Sequence, residues 1–155
     1  MEILVLTISD RASKGIYKDK SGPAVEAVLK KYLQSITVSR AIVPDERRAI
    51  LGAFKKNLHC DFIITTGGTG LSARDITPET TASFCDRLIP GISEILRIES
   101  WKQTPHAMLS RGVAGQKGKT LIINLPGSVS GAGFCAKLLI PVIQHGAEMV
   151  RGEGH

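Results

Sequence analysis

The chain lacks most features that would tie it to a specialised environment. No apolar run approaches the roughly 20 residues that a membrane helix needs, so no membrane role is expected. The start, Met1-Glu2-Ile3-Leu4, has no basic segment ahead of an apolar one and runs straight into a predicted strand. No secretory leader is expected, and the cytoplasm is the expected location. Cysteine is scarce: Cys60, Cys85 and Cys135 are odd in number, far apart and never in a C-x-x-C pattern. Neither a disulfide framework nor a zinc site is indicated by that spacing, and each cysteine reads as a small core or near-surface residue. His59, His106, His145 and His155 are equally scattered, without metal-ligand spacing, and are read as surface residues. Aromatic residues make up only 5% of the chain, and no basic run is interleaved with them, so no nucleic-acid stacking platform is expected. There is no internal repeat, low-complexity tract or linker composition. The 155 residues are read as one domain, 1–155.

What the chain does have is charge, glycine and alternating elements. Twenty basic and 14 acidic residues give a net charge of +6, which favours anionic partners without identifying them. Lys30-Lys31, Arg47-Arg48 and Lys55-Lys56 fall on predicted helices and read as solvated faces. Glu2 to Ile8 is nearly all apolar, as in a strand covered on both faces. Ser21 reads as the cap of a helix opened by Gly22 and Pro23, with Val25, Val28, Leu29, Tyr32 and Leu33 as its apolar stripe. Ile36 to Val43 is β-branched and partly alternating, a second strand. Ile50, Leu51, Phe54 and Leu58 mark the face of a further helix. Asp61 to Thr65 and Thr120 to Leu125 read as a third and a fourth strand. Leu88 to Gly91 reads as a break, Ile92 to Trp101 as a helix, and Gln116 to Lys119 as a turn. Phe134, Leu138, Leu139, Val142, Ile143 and Met149 mark a last helix, bent by Pro141, with a frayed end from Arg151 to His155. Alternating strands and helices predict a three-layer α/β/α sandwich with a mostly parallel sheet.

One stretch concentrates the chemistry: Thr65-Thr66-Gly67-Gly68-Thr69-Gly70-Leu71-Ser72-Ala73-Arg74-Asp75-Ile76-Thr77-Pro78-Glu79. Three glycines in four positions let an anion reach backbone N–H groups. Arg74 adds a fixed positive charge, and Asp75 a carboxylate suited to a hard cation such as magnesium. Thr77 reads as the N-cap of a helix with Pro78 in its first turn. Polar residues also end the first strand, Thr7 to Arg11, and the fourth, Pro126-Gly127-Ser128. Those are positions where α/β sheets bind ligands. Asp45, after Val43-Pro44, has two readings, a helix N-cap or a functional carboxylate.

Two standard nucleotide motifs nearly match and fail. Gly68-Thr69-Gly70-Leu71-Ser72-Ala73 satisfies G-x-G-x-x-A, but it follows the third strand and does not open a helix directly. Gly118-Lys119-Thr120 resembles the end of a Walker A loop, but the earlier glycine is missing and a strand follows. G-x-S-x-G and H-E-x-x-H are absent. Glycine loops, carboxylates and one positive charge suit phosphoryl or nucleotidyl transfer.

The Thr65–Gly70 loop with Arg74-Asp75 and Thr77-Pro78-Glu79 resembles the signature of the molybdenum-cofactor MogA/MoaB proteins and the gephyrin G domain. Thr7-Ile8-Ser9-Asp10, Asp19 to Pro23, Val43-Pro44-Asp45-Glu46, Ser110 to Gly115 and Asn124 to Ser128 fall in the order of that family. The resemblance implies a molybdopterin adenylyltransferase, which uses ATP and Mg2+ to place AMP on the terminal phosphate of molybdopterin. It also implies a homotrimer and a transient contact with the molybdate-inserting enzyme. Carried onto this chain, Asp45 and Asp75 are the catalytic and metal-holding carboxylates. Thr66, Gly67, Gly68, Thr69 and Gly70 bind phosphate or pterin. Arg74, Ser110 and Arg111 face anionic substrate. Ser9, Asp10, Pro126, Gly127 and Ser128 complete the floor. Val129-Ser130-Gly131-Ala132-Gly133 departs from the family's pattern and leaves that loop's contacts unassigned. Arg74 separates the chain from the related CinA-type proteins, and its length from the multidomain molybdate-inserting enzymes. A molybdopterin carrier without catalysis is the alternative.

Overall fold

The computed structural model describes residues 1–152, the side chain of Arg151 excepted. Six strands form one sheet: β1 (Glu2–Ile8), β2 (Thr37–Val43), β3 (Phe62–Thr66), β4 (Arg87–Leu88), β5 (Ala114–Lys117) and β6 (Thr120–Leu125), in the order β2-β1-β3-β6-β5-β4. The pairs β1–β2, β1–β3 and β3–β6 are parallel, with Ile3 opposite Phe62 and Phe62 opposite Leu121. β5 runs against both of its neighbours. The mostly parallel sheet is as expected. β4 and β5 correct the four-strand reading. They are short, and β5 is the polar segment Ala114-Gly115-Gln116-Lys117. Gly115 is needed there because a Cβ would stand 2.7 Å from the Cys85 Sγ. The turn narrows to Gly118-Lys119, with Gly118 at φ +56°.

The helices are α1 (Asp10–Ser13), α2 (Ser21–Tyr32), α3 (Arg47–Lys56), α4 (Thr77–Phe84), α5 (Pro90–Trp101) and α6 (Val129–Arg151), with a 3-10 turn at Pro105–Leu109. One sheet face packs Ile3, Val5, Phe62, Ile64, Leu121 and Ile123 against Val25 and Leu29 of α2, Leu96 of α5 and Leu139 and Ile143 of α6. The other packs Leu4, Leu6, Ile63 and Ile122 against Ile50 and Phe54 of α3, with Phe84 of α4 at its edge. Helices on both faces complete the three layers.

Several caps differ from expectation. Ser21 is the first residue of α2, and Asp19 accepts the Gly22 N–H at 3.1 Å in its place. Thr77 is the first residue of α4, whose cap position is Ile76. Glu46, not Asp45, precedes α3. In α6, Val142 and Met149 are exposed, and Ala132, Cys135, Ala136 and Ala147 share the buried face with Leu139 and Ile143. Small residues suit that face because α6 lies close to the sheet: a Cβ on Gly146 would stand 3.2 Å from a Leu121 methyl. Pro141 lies inside α6, and Arg151 is its last residue, followed by Gly152 as a left-handed cap. The remainder of the end read as frayed, residues 153–155 with His155, lies outside the described residues.

Candidate functional site

The parallel strands β1, β2, β3 and β6 all end on the same edge of the sheet. The chain leaves β1 toward β2 on one side and β3 on the other, and such a switch point opens a crevice beyond the strand ends. The glycine loop sits there. Gly67 has φ +102°, and a Cβ on it would stand 2.3 Å from the Ile8 carbonyl oxygen. The Gly67 N–H donates to the Leu125 carbonyl at 3.3 Å, and the Thr66 hydroxyl donates to the Pro126 carbonyl at 2.8 Å. The loop is thereby fastened to both neighbouring strand ends.

The loop's carbonyls are turned back into the protein. Gly68 O accepts the Thr77 N–H at 3.1 Å and Thr69 O accepts the Arg111 N–H at 3.0 Å. Gly70 O accepts Nε of Arg111 at 2.7 Å. Gly68, Thr69 and Gly70 make no backbone N–H donation to an acceptor among the described residues. Acceptors are consumed and donors remain, the polarity an anion site requires.

Both predicted carboxylates border this loop. A Cβ on Gly68 would meet Asp45 Oδ1 at 3.0 Å and Thr77 Oγ1 at 2.3 Å; one on Gly70 would meet Asp75 Oδ2 at 3.1 Å. The Asp75 carboxylate accepts the Ser72 N–H at 2.9 Å. The Asp45 carboxylate accepts the Asp10 N–H at 2.8 Å, and the Asp45 N–H donates to Asp10 Oδ1 at 3.0 Å. That exchange ties the end of β2 to the start of α1 and removes the cap reading of Asp45. Asp10 is also paired with Arg74, Nε to Oδ2 at 3.0 Å. Arg74 holds the Asp10 carboxyl below its ordinary value.

Asp45 is shifted the other way. Burial raises its pKa first, outweighing the Asp10 N–H bond, and the charges of Asp10 and Asp75 push it further up. A carboxyl whose folded value exceeds its unfolded value carries no penalty when both states are protonated. The penalty grows as pH rises from the unfolded value to the folded one and is complete above the folded value. Asp45→Asn is therefore expected to raise the melting temperature at neutral pH. Thermal melts run from neutral pH down into the carboxylate range should show that gain fading; a gain independent of pH would rule out this cause.

The donor set fits a hard cation beside bound phosphates. Thr77 Oγ1 is buried and has no hydrogen-bond partner. It and the Asp45 carboxylate both close in on the bare Cα of Gly68, so two kinds of oxygen converge on one point of the loop.

On the far side of the loop lies a cleft of about 440 Å³, bordered by Gly68, Thr69, Gly70, Asp75, Ser110, Pro126, Gly127 and Ser128. Ser9, Asp10, Asp45, Thr66, Gly67, Arg74 and Arg111 do not line it. Ser9 caps α1, its hydroxyl oxygen accepting the Ala12 N–H at 3.2 Å. Arg111 braces the loop: besides Gly70 O, its guanidinium donates to the Asp75 carbonyl and to Glu79. The cleft's outer wall was not foreseen: Ser93, Arg97 and Ser100 of α5, then Gln103, Thr104 and His106. In the sequence, the spacing of Ser93, Arg97 and Ser100 along one face of α5 is the signal that marks the helical part of this wall. Val129 to Gly133 is the first turn of α6. Ser128 caps it, accepting the Gly131 N–H at 3.2 Å. Gly131 is small of necessity, since a Cβ would stand 2.6 Å from the Ser128 Oγ and 3.0 Å from Pro126. This 23-residue helix opens onto the cleft with its positive end.

Comparison with known proteins agrees with this geometry. Residues 4–145 match the family described as "Probable molybdopterin binding domain". A molybdopterin adenylyltransferase of Helicobacter pylori is 44% identical over 156 residues, covering 98% of this chain and 89% of the relative. One from Escherichia coli K12 is 40% identical over 131 residues, 82% of this chain and 67% of the relative. The crystal structure of the molybdopterin biosynthesis enzyme MoaB of Thermus thermophilus superposes with a TM-score of 0.87 at 39% identity, covering 97% of this chain and 96% of that one. The chain belongs to the molybdopterin-binding domain family of molybdenum cofactor biosynthesis proteins.

Proposed function

We propose that this chain is a molybdopterin adenylyltransferase. A terminal phosphate oxygen of molybdopterin attacks the α-phosphorus of ATP. The bond from that phosphorus to the oxygen bridging to the β-phosphate breaks, AMP stays on the pterin phosphate, and pyrophosphate leaves. The observation that carries this reading is the convergence of Asp45 and Asp75 on a glycine loop whose Gly68, Thr69 and Gly70 N–H groups have no acceptor among the described residues. The attacking oxygen is already ionised at neutral pH, so positioning and charge neutralisation dominate.

Asp45 and Asp75 are the residues that would hold Mg2+, which when bound neutralises charge on the α-phosphate and the departing pyrophosphate. The loop N–H groups hold a phosphate in line, and Arg111 keeps the loop in shape from behind. Arg74 offers its guanidinium to nucleotide phosphate in exchange for Asp10. Ser110, Ser128 and the α6 N-terminus face the pterin side of the cleft. The homotrimer follows from the family resemblance, and the apolar side chains left in water on and after α5 offer it an association surface: Ile95, Ile98, Trp101, Met108 and Leu109 are each more than half exposed. Free thiols at Cys60, Cys85 and Cys135 fit a reducing cytoplasm. The product would pass by transient contact to the enzyme that inserts molybdate.

Pyrophosphate release from ATP and Mg2+, measured with and without molybdopterin, tests the proposal. Release should require the pterin, and AMP should appear on it. Pterin binding without pyrophosphate, whatever the divalent metal, would replace this reading with the carrier.

A further inference from the structure

The opposite edge of the sheet carries a second cluster of metal-competent side chains. Glu2 opens β1, and His59 and Cys60 lie just ahead of β3, separated from it by Asp61. The two strands are parallel neighbours, so their first residues lie side by side, remote from the glycine loop at the strands' other ends. A carboxylate oxygen of Glu2, an imidazole nitrogen of His59 and the Cys60 Sγ all lie within 4.8 Å of one another. His59 Nε2 is 3.7 Å from Glu2 Oε2. Bonds of about 2.0–2.3 Å to a tetrahedral ion put ligand atoms roughly 3.3–3.8 Å apart. Small rotations of two surface side chains close the difference.

The backbone under these ligands is pinned. The Glu2 N–H donates to Asp61 Oδ2 at 2.7 Å, and the Asp61 N–H returns to Glu2 O at 2.9 Å. Cys60 O accepts the Thr120 hydroxyl at 2.8 Å, and the Cys60 N–H donates to Asn57 O at 3.0 Å. The thiol is buried, while the imidazole and the carboxylate are more than half exposed, so an ion enters from solvent onto a fixed sulfur. Spacing along the chain conceals the set, because Glu2 arrives from another strand.

We propose that Glu2, His59 and Cys60 form a binding site for a borderline divalent transition metal, best matched by Zn2+, with a fourth position open to water. One sulfur, one nitrogen and one oxygen donor suit that class and not Mg2+ or Ca2+, which take oxygen. Binding displaces the thiol proton. The carboxylate of Glu2 supplies a negative charge that attracts the cation. The metal joins the start of β1 to the approach to β3 and stabilises the folded state by mass action.

The test uses untagged full-length protein, stripped with a chelator and desalted. Titration with Co2+ should give one equivalent of a thiolate-to-cobalt charge-transfer band, displaced by Zn2+ and unaffected by excess Mg2+. Cys60→Ser should abolish the band. His59→Ala, a surface change, should weaken Co2+ binding at least tenfold and remove the rise in melting temperature that Zn2+ produces, with pyrophosphate release unchanged. No band, or a band that survives both substitutions, overturns the proposal. Failure of Cys60→Ser to fold leaves His59→Ala to decide.

Discussion

Asp75→Asn is expected to lower adenylyl transfer on the order of 10²–10³-fold, the scale on which one preorganised electrostatic group contributes. Asparagine keeps the shape and one oxygen, so it can still accept the Ser72 N–H that Asp75 accepts at 2.9 Å. What it loses is the charge bordering Gly70. The effect should fall on kcat, with melting temperature and molybdopterin affinity close to wild type. Unchanged turnover would remove Asp75 from the mechanism. Asp45→Asn makes an informative partner. It should lose activity while gaining stability at neutral pH, because the burial that penalises its carboxylate also readies that carboxylate for a cation.

Gly67→Ala is expected to be the most damaging single methyl in the loop. The added carbon would stand 2.3 Å from the Ile8 carbonyl oxygen, a backbone atom with no rotamer to escape into, at a φ of +102° that L residues avoid. We expect a loss of about 3 kcal/mol or more, equivalent to a fall in melting temperature of roughly 6–12 °C for a chain of this size. Gly52→Ala is the control. Gly52 lies inside α3, and a Cβ there meets nothing within 4 Å, so alanine should stabilise by about 0.5–1 kcal/mol. Equal melting temperatures for the two variants would contradict the close approach of β1 and β3.

Much of this site can be read in the sequence because it is local. Gly67 to Asp75 is contiguous, and its chemistry follows from residue type. The buried strands β1, β3 and β6 declare themselves by unbroken apolar runs. What escapes is what depends on distant partners. Asp45 looks like a cap until Asp10 is placed beside it, an exchange across 35 positions. Arg111 looks like a substrate ligand until the carbonyls of Gly70 and Asp75 claim it. β5 is hidden because its pairing with β6 outweighs a poor local strand propensity. The cleft wall on α5 is hidden because periodicity marks the helix and not what its polar residues face.

The loop's attachment to strand ends has a consequence for how such a protein can change. Asp45 and Asp75 are positioned by contacts that end on main chain: Gly67 pressed on Ile8, Asp10 and Asp45 exchanging carboxylate-to-N–H bonds, and the Arg111 guanidinium gripping loop carbonyls. The wall across the cleft is built from side chains on α5, on the 3-10 turn and at the mouth of α6. Under the proposed function, the loop carries the reaction and the outer wall the selectivity, with Asp75 bordering both. Substitutions on α5 are expected to retune which pterin is admitted while the loop keeps its shape, because the loop is fastened to Pro126, Leu125 and Arg111 and not to α5.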